Sequence, residues 1–111
     1  MNIMKARIVW FPEKINVITI DYLANEGKIP WENDHLEQVR KYMKQDGLLF
    51  PGVVYAGEIH CGHYRFRVAK EMGYDGIEVY QAEDYKDVLS LTKFSELCYK
   101  HYKEIKELKY L

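Results

Sequence analysis

Between residues 58 and 73 a short strand-like segment, Glu58-Ile59-His60-Cys61, runs straight into Gly62. A stretch then follows in which Phe66, Ala69 and Met72 recur every three residues. That pattern predicts a strand entering a helix through a single glycine, with Gly73 closing the helix. The constraint is severe, because strand end and helix start must share one residue. The first backbone N–H groups of a helix have no internal partner, and the helix dipole is positive there. A glycine lets a ligand come close to the backbone. Arg65, Arg67 and Lys70 add charge, and a guanidinium fork suits phosphate oxygens. The stretch therefore reads as an anion site fitted to phosphate. It also reads as a glycine turn ahead of a solvated basic face, and spacing alone leaves both open.

The surrounding elements follow from punctuation. Residues 53–56 predict a strand, Gly57 its turn, and Glu58–Cys61 the hairpin partner. Residues 6–11, β-branched and aromatic and stopped by Pro12, predict a first strand, and residues 15–22 a second. Gly27 and Pro30 mark a loop. Asp34 offers a helix N-cap with Glu37 in capping-box position, and Leu36, Val39, Tyr42 and Met43 carry the helix to Lys44, before Gly47. Gly76 precedes a strand over residues 77–80. Residues 85–111 form one long amphipathic helix or two shorter ones, striped by Leu91, Phe94, Cys98, Tyr102, Ile105 and Leu108. The order β-β-α-β-β-α-β-α gives an α/β (α+β) fold, a compact mixed sheet with packed helices. Residues 1–83 make the domain, and residues 84–111 a helical extension packing on it or on a partner.

Composition bounds the partners. With 111 residues and 48% apolar content, the chain can bury one core. Sixteen basic against seventeen acidic residues give a net charge of -1, so phosphate binding has to come from a local patch. Cys61 and Cys98 are too far apart in sequence to suggest a disulfide framework. The opening residues show no signal pattern, and the longest apolar run, 48–56, is broken by Pro51 and Gly52. The expectation is a reduced, cytoplasmic protein with no membrane segment. Ten tyrosines and two tryptophans serve mostly as core and surface cover, although aromatic rings also stack on bases.

The wording of the central stretch carries a resemblance. Gly62-His63-Tyr64-Arg65-Phe66-Arg67-Val68-Ala69-Lys70-Glu71-Met72-Gly73 is similar to the ParB-type signature Gly-Glu-Arg-Arg-Tyr-Arg-Ala-Ala. It is similar too to the related Asp-Gly-His-His-Arg-Tyr-Arg-Ala-Ala-Lys-x-x-Gly. Upstream, Asp46-Gly47-Leu48-Leu49-Phe50-Pro51-Gly52-Val53-Val54 resembles Gly-Leu-x-x-Pro-Ile-x-Val. Downstream, Gly73-Tyr74-Asp75-Gly76-Ile77-Glu78-Val79 matches the closing strand. Over about residues 6–81 the chain thus resembles the ParB/sulfiredoxin superfamily, in particular its Asp-Gly-His-His-Arg-type subgroup. The resemblance implies that the loop and helix start bind a nucleoside triphosphate or DNA backbone. Members of that superfamily include nucleases, phosphotransferases and sulfiredoxins. The departures are specific. Cys61 stands where the subgroup has an acid, His63 and Tyr64 where partition proteins have glutamate and arginine, and His63 where sulfiredoxins have their reactive cysteine.

The expected phosphate or nucleotide site is Gly62, His63, Tyr64, Arg65 and Arg67. In a catalytic member His63 would move a proton and Arg65 would stabilise developing charge. Glu58 is the nearest candidate for a metal ligand, with Mg²⁺ or Mn²⁺ and a nucleoside triphosphate as the implied cofactors. His60, Cys61 and His63 lie too close together in sequence for a zinc site, and Cys61 is either a small strand-end residue or an activated thiol. Lys100, Lys103, Lys106 and Lys109, interleaved with Glu104 and Glu107, suit a solvated, ion-paired face. Three functions remain in view. They are a ParB-like domain binding the phosphates of a nucleotide or DNA, a metal-dependent nuclease or phosphotransferase, and a catalytically inactive interaction module. Residues 85–111 are the candidate surface for a homo-dimer or a protein partner.

Overall fold

Buried apolar residues sit on both sides of the closing strand, which places it at the centre of a covered sheet. The computed structural model describes residues 2–21 and 30–109, with side chains through His101. Its strands are β1 (Ile3–Met4), β2 (Ile15–Thr19), β3 (Gly52–Tyr55), β4 (Glu58–Cys61) and β5 (Gly76–Gln81). Its helices are α1 (Asn33–Asp46), α2 (His63–Glu71) and α3 (Tyr85–Lys109), and a short 3-10 turn spans Pro12–Lys14. The five strands form one mixed sheet. β2 runs antiparallel along one edge of β5, from Ile15 opposite Tyr80 to Thr19 opposite Gly76. Parallel β1 and β3 share the other edge end to end, pairing with residues 76–77 and 79–81. β4 closes the sheet beyond β3 as its antiparallel hairpin partner.

Strand alternation divides the core. Val54, Ile77 and Val79 face a cluster with Leu36 and Met43 of α1 and Phe66, Val68 and Ala69 of α2. Val53 and Tyr80 face the other way, into a cluster with Phe50, Val88, Leu91 and Cys98 that is covered by α3. The result is a mixed α/β sandwich, as the order of elements predicts. No helix among the described residues is long and apolar enough to cross a membrane.

Several boundaries differ from expectation. The first strand is β1, not residues 6–11. There only Ala6 bridges to Leu48, and the N–H groups of Arg7 and Ile8 donate to Leu48 and Leu49. Farther along, the Trp10 and Phe11 N–H groups donate to the Tyr80 hydroxyl at 2.9 and 3.2 Å. A side chain thus takes the hydrogen bonds that a neighbouring strand would have taken. Asp34 is not the cap of α1. Glu32 holds that position without a side-chain bond, its N–H donates to the Tyr64 hydroxyl, and Glu37 pairs with Arg40. The β3–β4 turn uses Ala56 as well as Gly57, both at positive φ, which matches strand twist in a two-residue hairpin. Residues 85–109 form a single helix, roughly 37 Å long at the usual rise. The end of the predicted second strand at Tyr22, and Gly27 in the loop, lie outside the described residues.

Candidate functional site

β4 passes into α2 with no linker, and Gly62 makes the turn in the left-handed region, at φ 99° and ψ 18°. A Cβ here would meet Arg65 Nη2 at 3.1 Å and Gly52 Cα at 3.2 Å, while one on Gly52 would lie 2.6 Å from the Cys61 carbonyl. Two chain segments therefore approach so closely that both glycines are required by packing. The first intrahelical bond runs from the Phe66 N–H to the Gly62 carbonyl, so the amides of residues 63–65 lie outside the helix's own ladder. No side chain caps the helix, and its first turn holds no acid.

Arg65 points inward and is 8% exposed. Its Nη1 donates to the Phe50 carbonyl and, at 3.2 Å, to the Tyr99 hydroxyl. Its Nη2 donates to Cys61 Sγ at 3.3 Å and to Ser95 Oγ at 3.2 Å. The guanidinium also sits 4.7 Å from the centre of the Tyr99 ring. Burial works against this charge, but Tyr99 and Cys61 beside it more than offset that and raise its pKa. One arginine thus ties the segment leading into β3, the end of β4 and α3 to the start of α2.

Arg67, two residues on, emerges on another face. It lies 3.6 Å from Glu71 and stacks 4.8 Å above the Trp31 ring. Tyr64 reaches toward α1, where its ring meets His35 at 4.2 Å and its hydroxyl donates to the Pro30 carbonyl. His63 is half-buried. Burial lowers its pKa from the ordinary 6.5 against the opposing pull of a hydrogen bond to the Ile59 backbone, and the charges of His60 and Arg65 lower it further. Glu58 sits at the hairpin end of β4, three residues and roughly 10 Å of strand from Cys61. Among the described residues no three His, Cys, Asp or Glu side chains come together to hold a metal ion, so neither Glu58 nor His60, Cys61 and His63 belong to a cluster of three ligands.

Above the start of α2 lies a cavity of about 400 Å³. From α1 it is lined by His35, Gln38, Val39, Tyr42 and Met43, from α3 by Ser95, Glu96, Tyr99 and Lys100, and at its base by residues 61–65. Gly62, His63, Tyr64 and Arg65 are thus brought together, and Arg67 lies outside. The walls from α1 and α3 escaped the sequence reading, because their residues serve helices that look self-sufficient on paper. One signal was present: Ser95 interrupts the apolar stripe of α3, and it is fully buried against Arg65. Lys100, expected on a solvated face, is exposed and stands at the cavity.

Among solved structures the chain is similar to the C-terminally truncated chromosome-partitioning protein ParB from Caulobacter crescentus complexed with CTP-gamma-S, at 22% identity and a TM-score of 0.52. The match covers 74% of this chain and 52% of that one. It is also similar to a Pnob8-like ParB-N domain in its C2221 form, at 18% identity and a TM-score of 0.49, covering 60% of this chain and 28% of that one. The chain therefore spans about half the length of the first and little more than a quarter of the second. At 22% identity the likeness to the Caulobacter crescentus protein speaks for the fold alone, a mixed α/β fold of the ParB kind. No protein-family model matches the chain, and no curated protein does.

Proposed function

We propose that this chain is a ParB-like domain that binds a nucleotide in the cavity, with a phosphate at the start of α2. The observation that carries it is the cavity itself, whose apolar and aromatic walls end on the uncapped N-terminus of a helix with no acid in its first turn. Tyr42, Tyr64 and Tyr99 offer faces for a base, and the backbone amides at the start of α2 offer donors for a phosphate. Arg65 supplies positive charge and holds the wall in place, since four of its N–H groups are engaged by the protein. Arg67 is left out of the site because Glu71 and Trp31 occupy it. The CTP-gamma-S complex of the Caulobacter crescentus protein supports a nucleotide as ligand for this fold.

Calorimetric titration with nucleotides of the wild type and of Gln38→Trp tests the proposal. Gln38 is exposed on α1 and borders the cavity, so a tryptophan there fills the space at little expense to the fold. Binding by the wild type and its loss in Gln38→Trp are expected. Equal binding by both proteins, or none by either, overturns the proposal. The same samples with Mg²⁺ or Mn²⁺ report on the catalytic alternative. Nucleotide turnover that disappears in His63→Ala would establish phosphoryl-group chemistry with His63 in it.

A further inference from the structure

We infer that the cavity, if it is the nucleotide site proposed above, selects a ligand carrying one phosphate over one carrying three. The reason is the balance of fixed charge around it. Two cations line the cavity, Arg65 and Lys100, and so do two carboxylates, Asp46 and Glu96. Arg7, which does not line it, approaches Asp46 at 3.7 Å from the solvent side and offsets part of that carboxylate's charge. Burial, with the charges of His60 and Arg65, shifts His63 toward its neutral form, so it reinforces the two cations little. The wall as a whole is close to neutral.

The cations that are present are also poorly placed for a polyphosphate. Arg65 cannot present its fork to a ligand, since both terminal nitrogens already donate twice to protein acceptors. Arg67, the other arginine of the stretch, is turned away onto Glu71 and Trp31. What remains is the first turn of α2, which holds no acid and as a helix N-terminus suits one anionic group, and Lys100 on the exposed face of α3. Glu96 stands one helical turn before Lys100, so a phosphate chain extending toward the lysine also meets a carboxylate. A phosphate monoester carries about -1.5 to -2 charges near neutral pH. Each further phosphate adds negative charge, with no further cation of the wall to receive it.

The remaining lining fits the other half of such a ligand. Val39, Met43 and Leu49 with Tyr42 and Tyr99 make an apolar and aromatic wall suited to a base and a sugar edge. The volume of about 400 Å³ lies at the small end of the range of ligand sites.

The test is calorimetry on the full chain at fixed ionic strength, comparing cytidine and adenosine mono-, di- and triphosphates with and without Mg²⁺. The monophosphate is expected to bind tightest, with the triphosphate weaker by about tenfold or more. Glu96→Lys is expected to close most of that gap by reversing a charge at the cavity. Wild-type affinity that climbs with each added phosphate overturns the inference, as does a Mg²⁺-bound triphosphate that outbinds the monophosphate. A gap left unchanged by Glu96→Lys overturns it as well. The failure of the underlying reading looks different: none of the six nucleotides binds the folded protein.

Discussion

Arg65 carries two consequences at the scale of one side chain. It is a buried cation held by a carbonyl, two hydroxyls and a thiol, with no ion pair among the described residues. Removing it strands those acceptors in the core, and Arg65→Met should lower unfolding free energy by about 3 kcal/mol or more. Arg65→Lys should recover little, because a single ammonium cannot reach acceptors spread across a planar fork. Urea denaturation measures both, and a loss below about 1 kcal/mol in Arg65→Met would refute the structural role. The glycines separate backbone cost from contact cost. Gly73 has φ +88° with nothing within 4 Å of an added Cβ, so Gly73→Ala should cost about 1 kcal/mol, the strain of the left-handed region alone. Gly52→Ala forces a Cβ to 2.6 Å from the Cys61 carbonyl, where neither chain can yield easily, and should cost about 1–3 kcal/mol. Gly62→Ala combines strain with contact and should exceed Gly73→Ala in the same assay. Equal losses at Gly62 and Gly73 would mean that the approach of β3 to α2 is not tight.

At the scale of elements, Tyr80 shows how a central strand organises a segment that forms no strand. Its ring packs on Phe11 and Phe50, and its hydroxyl accepts both the Trp10 and Phe11 N–H groups. Tyr80→Phe keeps the packing and strands two amides, which should cost about 1–2 kcal/mol and speed hydrogen exchange at Trp10 and Phe11 ahead of β2. Exchange that stays slow at both amides would mean that they have other acceptors. This contact also explains why residues 6–11 look like a strand in sequence. Their aromatic and β-branched content is used for packing on α3 and β5, while the amides of Trp10 and Phe11 donate to the distant Tyr80 hydroxyl. Elements punctuated locally were legible: the hairpin around Gly57, the strand-to-helix turn at Gly62, and the stop of α1 at Gly47, φ +74°. Where a distant residue decides, sequence spacing had nothing to say. Tyr64 sets the start of α1 from the other helix. Arg65 and Arg67 look equivalent by composition, yet two positions along a helix is more than half a turn, so one enters the core and the other meets Glu71. The base of the cavity was therefore readable from residues 62–65, and its walls were not.

For the molecule as a whole, charge placement favours the proposed nucleotide over DNA as the phosphate ligand. The net charge is -1, and every arginine, with Lys14, is engaged by neighbouring groups. Arg7 faces Asp46, Lys14 faces Asp87 at 2.8 Å, Arg40 faces Glu37 and Glu71, and Arg67 faces Glu71. A duplex presents a regular line of phosphates, and a protein that grips it releases counterions in proportion to the lysines and arginines it commits. Nucleotide binding in a cavity needs no such surface. A labelled DNA duplex should therefore bind this chain more weakly than about 10⁻⁴ M at physiological salt, the weak limit for non-specific binders. Any binding recovered at low salt should show a shallow dependence, with a slope near one or two phosphates rather than about six to ten. Fluorescence anisotropy across a salt series measures both quantities. Micromolar binding with a steep slope would show that ion-paired side chains such as Arg40 and Arg67 exchange their carboxylates for phosphates, and would move the ligand from the cavity to the surface. Weak DNA binding alongside saturable nucleotide binding would agree with the proposed phosphate position at the first turn of α2, which holds no acid.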